Sequence, residues 1–95
     1  MTTIISIGRN TLPDQTPMSV NAWGDFIFHL NLYFKKIYFG GEGYKIDGGK
    51  TEENYTVVGE LETSVDIDKE CVWLCERYKQ EYIAITQGET RFVTK

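Results

Sequence analysis

Two thiols, one imidazole and a crowd of carboxylates are the groups in this chain that could do chemistry. Cys71 and Cys75 lie in Cys71-Val72-Trp73-Leu74-Cys75, and an i, i+4 spacing puts both on one side of a helix. A tetrahedral metal site needs further ligands, and the single His29 belongs to a different predicted helix. A cluster-binding Cys-x-x-x-Cys-x-x-Cys would need cysteine at position 78, where Tyr78 stands. A disulfide needs Cβ atoms about 3.8 Å apart, closer than helix neighbours sit. The pair therefore reads as core cysteines. An imidazole can act as a general base near neutral pH, but His29 has no Ser, Cys or carboxylate at a telling spacing and is assigned to packing or surface. Gly48-Gly49-Lys50-Thr51 matches only the end of the phosphate-binding pattern G-x-x-x-x-G-K-[ST]. Tyr44 occupies the first glycine position, and Glu-Glu-Asn-Tyr-Thr-Val-Val follows Thr51 where a helix should begin. The carboxylate pairs Glu52-Glu53, Glu60/Glu62 and Asp66/Asp68 would need a cleft to do acid–base work, and they read as surface acids. The chain is not read as an enzyme, and no metal or cofactor is expected.

What remains is where the charge lies. Between Glu42 and Glu70 stand nine acids, Glu42, Asp47, Glu52, Glu53, Glu60, Glu62, Asp66, Asp68 and Glu70, against three bases, Lys45, Lys50 and Lys69. That stretch carries −6 and the rest of the chain +2, so the net charge of −4 is generated in the middle third. A field of one sign steers partners of the opposite sign. Alternate residues of a strand share a face about 6.6 Å apart, which suits Glu60 and Glu62. Asp66, Asp68 and Glu70 continue that row around the start of a helix. Each DNA strand carries one charge per about 3.4 Å of axis, so such a row resembles a short phosphate backbone. Glu42, Asp47, Glu52 and Glu53 would supply a second row if the fold places them nearby. Tyr44 and Tyr55 are candidate aromatic anchors, with core or turn packing as their other and preferred role. The bases form only the pairs Lys35-Lys36 and Arg77/Lys79, and an acidic chain is repelled by phosphate, so direct nucleic-acid binding is not expected.

Positioning these groups falls to a chain of 95 residues, which is read as one domain, 1–95. Thirteen aromatics give so short a chain an efficient core. Thr2–Ile7 is β-branched and predicts a strand that Gly8 ends. Arg9–Met18, with Pro13 and Pro17, predicts a loop. Ser19 is an N-cap, and Val20, Trp23, Ile27, Leu30, Phe34 and Ile37 form one helical stripe. The helix is expected to run toward Phe39 and end at Gly40-Gly41. Strand formers from Leu30 to Phe39 leave open an earlier stop and a handover to a strand. Gly40–Lys50 predicts turns, and Tyr55–Glu62 a strand. Ser64 or Asp66 caps a second helix whose buried stripe is Cys71, Leu74, Cys75 and Tyr78. Tyr82–Thr86 and Thr90–Thr94 predict strands joined by a tight hairpin at Gln87-Gly88. The order implies an α+β fold, a small antiparallel sheet of three to five strands covered by two helices. No stretch approaches the roughly 20 apolar residues that span a bilayer. Met1-Thr-Thr-Ile-Ile-Ser lacks the basic flank and apolar run of a signal peptide. With two cysteines and no disulfide framework, a cytoplasmic setting is expected.

Taken whole, the chain resembles small phage-encoded anti-CRISPR proteins in its size, its acidic middle, its opening Met1-Thr-Thr-Ile-Ile-Ser-Ile-Gly-Arg-Asn and its lack of an enzyme motif. Within that group it is most similar to DNA-mimic inhibitors of the type I-F surveillance complex. The resemblance implies a bacterial host cytoplasm, a basic DNA-binding groove on a CRISPR-Cas surveillance complex subunit as partner, and a monomeric inhibitor. It transfers no residues by motif, so the partner-binding acids are those of the charge row. Two rivals stand beside it. An immunity or antitoxin protein would turn the same acids on a basic nuclease, and a phage structural or assembly protein would use the aromatic helix as its interface.

Overall fold

A computed structural model describes residues 1–47 and 49–93. The isoleucine-rich opening forms β1 (Thr2–Gly8), in which Thr3, Ile5 and Ile7 are buried on one side and their neighbours only partly covered. The expected loop after it holds two short paired strands, β2 (Asn10–Thr11) and β3 (Thr16–Pro17). Helix α1 (Val20–Asn31) follows, with Ser19 Oγ accepting from the Ala22 amide at 3.2 Å. Strands β4 (Phe34–Asp47) and β5 (Lys50–Leu61) make a long hairpin. Helix α2 (Ile67–Arg77) and strand β6 (Ala84–Gly88) complete the chain.

Four strands form one antiparallel sheet in the order β4-β5-β1-β6, while β2 and β3 form a sheet of two. Two helices with this sheet are the expected α+β architecture. Ile5 and Ile7 of β1, Tyr55 and Val57 of β5, Trp23, Phe26 and Leu30 of α1, and Ile67, Cys71 and Leu74 of α2 share one core. Strand side chains alternate between faces, so both helices cover the face that carries odd-numbered β1 and β5 residues. The other face, with Ile4, Ser6, Thr56, Val58 and Glu60, is open and only half-buried. The Phe26 and Tyr78 rings stack inside the helical layer at 4.3 Å. Among the described residues no helix is long and apolar enough to cross a membrane.

Four expectations about elements need correction. Helix α1 stops at Asn31 and hands over to β4, the early stop that its strand formers allowed. Phe34 keeps its place in the core as a strand residue opposite Leu61, whereas Ile37 and Phe39 are exposed. Gly40-Gly41 is therefore no helix cap but strand, and Gly40–Lys50 is mostly ladder rather than turns. A close approach explains Gly40: a Cβ there would run into the Tyr55 hydroxyl, which crosses it to reach Asn31. Among the described residues a glycine takes a positive φ only at the hairpin tip, where Gly49 has a φ of 80°. Gly48, first residue of the rejected phosphate-loop match, lies outside the described residues. Finally, Gln87-Gly88 makes no hairpin. β6 pairs with β1, Gln87 opposite Thr3, and residues 89–93 form no strand. Thr94, the end of that expected strand, lies outside the described residues.

Candidate functional site

The second helix begins where Asp66 caps it, its Oδ1 accepting from the Lys69 amide at 3.3 Å. Asp68 and Glu70 then occupy the first turn, where the positive end of the helix dipole favours anions. Just before, Glu62 is held at the exit of β5: its amide donates to Tyr33 O at 2.9 Å and its carbonyl accepts from Val65 N at 3.1 Å. Glu60 is the next-to-last residue of β5, on the open face. Tyr33, between α1 and β4, and Tyr38, within β4, each hold one of these acids. Tyr33 donates its hydroxyl to Glu70 Oε2 at 3.0 Å, and Tyr38 donates to Glu60 Oε2. Glu60 thus lies on the open face of the sheet. Asp66, Asp68 and Glu70 belong instead to the start of the helix that covers the other face, and Glu62 stands at the strand exit that precedes them in sequence.

The other four are elsewhere. Glu42 on β4 accepts from the Trp23 indole at 3.0 Å. Glu52 and Glu53 are successive strand residues and point to opposite faces. Glu53 pairs with the Arg9 guanidinium at 2.6 Å, and Glu52 accepts from the Asn10 amide at 3.0 Å. Asp47 closes β4 at the hairpin turn. Glu52 and Glu60 share a face but stand eight residues apart on β5, about 26 Å at strand rise. The second acidic row is therefore not joined to the first. Of the two candidate anchors, Tyr55 is core and Tyr44 is exposed.

The electrostatics follow the contacts. The Tyr38 hydroxyl holds the Glu60 carboxyl below the usual carboxylate range; partial desolvation opposes it, and Lys35, the N-terminus and Lys36 assist. Tyr38 is pushed up in turn by its bond to that carboxylate. Burial, then the hydrogen bond to Glu70, raises Tyr33 well above the ordinary phenol range. Both cysteines are free thiols. Burial pushes Cys71 up to about 11 and raises Cys75 as well, so neither is an activated thiolate. His29 packs against the rings of Trp73 and Tyr33 at 5.0 and 5.7 Å. Among the described residues no three of His, Cys, Asp or Glu are grouped as metal ligands would be.

No family model matches the chain, and neither a curated protein nor a solved structure does. The site therefore rests on its own geometry. Tyr33 and Tyr38 are the hydrogen-bond partners of these acids that sequence reasoning missed. Both lie inside the expected helix, where a tyrosine reads as part of an apolar stripe, and no local signal ties either to an acid far along the chain.

Proposed function

We propose that this protein is an inhibitor that enters the basic DNA-binding groove of a CRISPR-Cas surveillance complex and blocks target binding by presenting carboxylates in place of phosphates. It acts as a monomer in the cytoplasm of a bacterial host. The observation that supports this reading is the pair of tyrosine clamps, Tyr38 on Glu60 and Tyr33 on Glu70. They fix two carboxylates, one before and one after Glu62, Asp66 and Asp68 in sequence, without neutralising them. Acids held in place before binding lose less side-chain entropy on association than free ones. Complementary charge makes association fast and salt-sensitive.

The test is a gel-shift competition. A purified type I-F surveillance complex meets labelled target duplex after preincubation with this protein. The expected result is loss of the shifted band, relieved as salt rises. A variant carrying Glu60→Gln, Glu62→Lys, Asp66→Asn and Asp68→Lys keeps a capping side chain at position 66 and should lose the effect. A shift undisturbed by the wild-type protein would sink the reading.

A second reading has its own observation. Phe28 of α1, Leu32 just after it, and Val72 and Trp73 of α2 are exposed. An assembly protein would bury that face against another copy, and light scattering would then report a multimer.

A further inference from the structure

The open face of the sheet holds a cleft of about 560 Å³ at the end away from Glu60. Its floor is made of small or polar residues, Ser6, Gly8, Asn54 and Ala84. Lys45 and Tyr82 stand on its two sides. Lys45 lies on β4 and Tyr82 just before β6, the opposite edges of the sheet. Their side chains meet above β5 and β1, with Lys45 Nζ donating to the Tyr82 hydroxyl at 2.6 Å and sitting 5.4 Å from its ring centre.

Strong acceptors stand among the polar groups that line this cleft. The Glu52 carboxylate lies flat on Gly8, so close that a Cβ at position 8 would be 2.7 Å from its Oε1. Glu52 Oε2 takes the Asn10 amide, and the carboxylate keeps lone pairs for a further donor. Gln80 spends its amide nitrogen on Asn10 O and Tyr78 O, so its amide oxygen is what it offers a guest. Glu81 adds a second carboxylate at the rim. Two carboxylates against one ammonium leave the cleft negative. Lys45 itself shows what the site attracts: a cation laid against the Tyr82 ring and its hydroxyl. A planar cation with five donors fits such acceptors better than a lysine ammonium does, and it can stack on an aromatic face.

We propose that this cleft binds the guanidinium of an arginine side chain presented by a partner protein. Glu52 and the Gln80 amide oxygen receive its N–H groups, and Tyr82 receives its flat face in place of the Lys45 ammonium. The site goes beyond the acids of the Glu60–Glu70 stretch and does not depend on their role.

The test is an NMR titration of amide shifts with three capped amino acids: Nα-acetyl-arginine amide, its lysine counterpart and its neutral citrulline counterpart. Arginine is expected to give saturable shifts at Gly8, Asn54 and Tyr82. Loss of a charge-assisted bond should make citrulline, or the Glu52→Gln protein, bind about tenfold more weakly. The Glu52→Gln side chain still offers the Asn10 amide an acceptor. Should that variant unfold, Tyr82→Leu at an exposed position gives the same reading through loss of stacking. Equal shifts from citrulline, shifts that avoid the cleft, or binding unchanged in both variants would overturn the proposal.

Discussion

Tyr55 passes over Gly40 to donate its hydroxyl to Asn31 Oδ1 at 3.0 Å, tying β5 to the last residue of α1 across the bare backbone of β4. Gly40→Ala puts a methyl group where that hydroxyl lies. Because Tyr55 is buried, it cannot swing away freely, and overpacking of this kind costs about 1–3 kcal/mol. Tyr55→Phe loses the hydrogen bond, about 1 kcal/mol. In the double variant the clash is relieved, so the two losses should add to less than their sum. Urea unfolding of the three variants measures this, and strict additivity would show that the hydroxyl is not what meets position 40.

Lys79 takes a left-handed φ of 53° just after α2, and the Gln80 amide donates back to Cys75 O at 2.9 Å. Glycine adopts this helix-ending conformation without the Cβ penalty. Lys79→Gly should raise stability by about 0.5–1 kcal/mol, read as a higher urea midpoint with an unchanged slope.

Arg9 joins the end of β1 to the hairpin. Its guanidinium donates to Glu53 Oε2 at 2.6 Å and to Met18 O at 2.9 Å. Arg9→Ala is expected to cost more than Glu53→Gln, because it also strips the Met18 carbonyl of a donor. Thermal melts in low and high salt would separate the contributions: only the ion-pair part shrinks as salt rises.

Cys71 is protonated in the fold up to about pH 11, against an ordinary value of 9.0. Between those values the unfolded chain gives up its proton and the folded chain keeps it. The stability this thiol contributes is therefore complete below pH 9.0 and is lost as pH climbs toward about 11. Unfolding free energies of wild type and Cys71→Ala, measured across that window, should converge as pH rises. Parallel curves would show no such linkage.

Glu60 should titrate below the usual carboxylate range, and Tyr38→Phe should bring it back up. The side-chain carboxyl carbon of Glu60, followed by NMR from neutral pH downward, reports both. An unmoved midpoint in Tyr38→Phe would mean that the phenol is not the main cause.

Much of the fold is legible where one pattern admits one structure. Ile5 and Ile7 alternate, Cys71 and Leu74 keep helical spacing, and Asp66 is a good cap, so β1 and α2 are plain. The stretch from Leu30 to Ile37 is ambiguous because Leu30 and Phe34 are buried whether the chain stays helical or turns into a strand. Only pairing of Phe34 with Leu61 decides it, and that partner is remote. The glycines of β4 mislead for a related reason: Gly40 serves the Tyr55 hydroxyl, not a turn. The acids are legible as a charge but not as places. Glu42 belongs to Trp23, Glu53 to Arg9 and Glu70 to Tyr33, and each of those contacts is made by chain topology.

Strand β1 sits between β5 and β6, with Thr3 paired to Gly59 and Thr2 to Gly88. On a ribosome, β1 emerges long before either neighbour and must wait, isoleucines uncovered, until both have followed. The β4–β5 hairpin, whose strands are adjacent in sequence, can form meanwhile and serve as the template on which β1 docks. Chain order thus favours a sheet built from its hairpin outward, with β1 the strand most in need of protection while synthesis lasts.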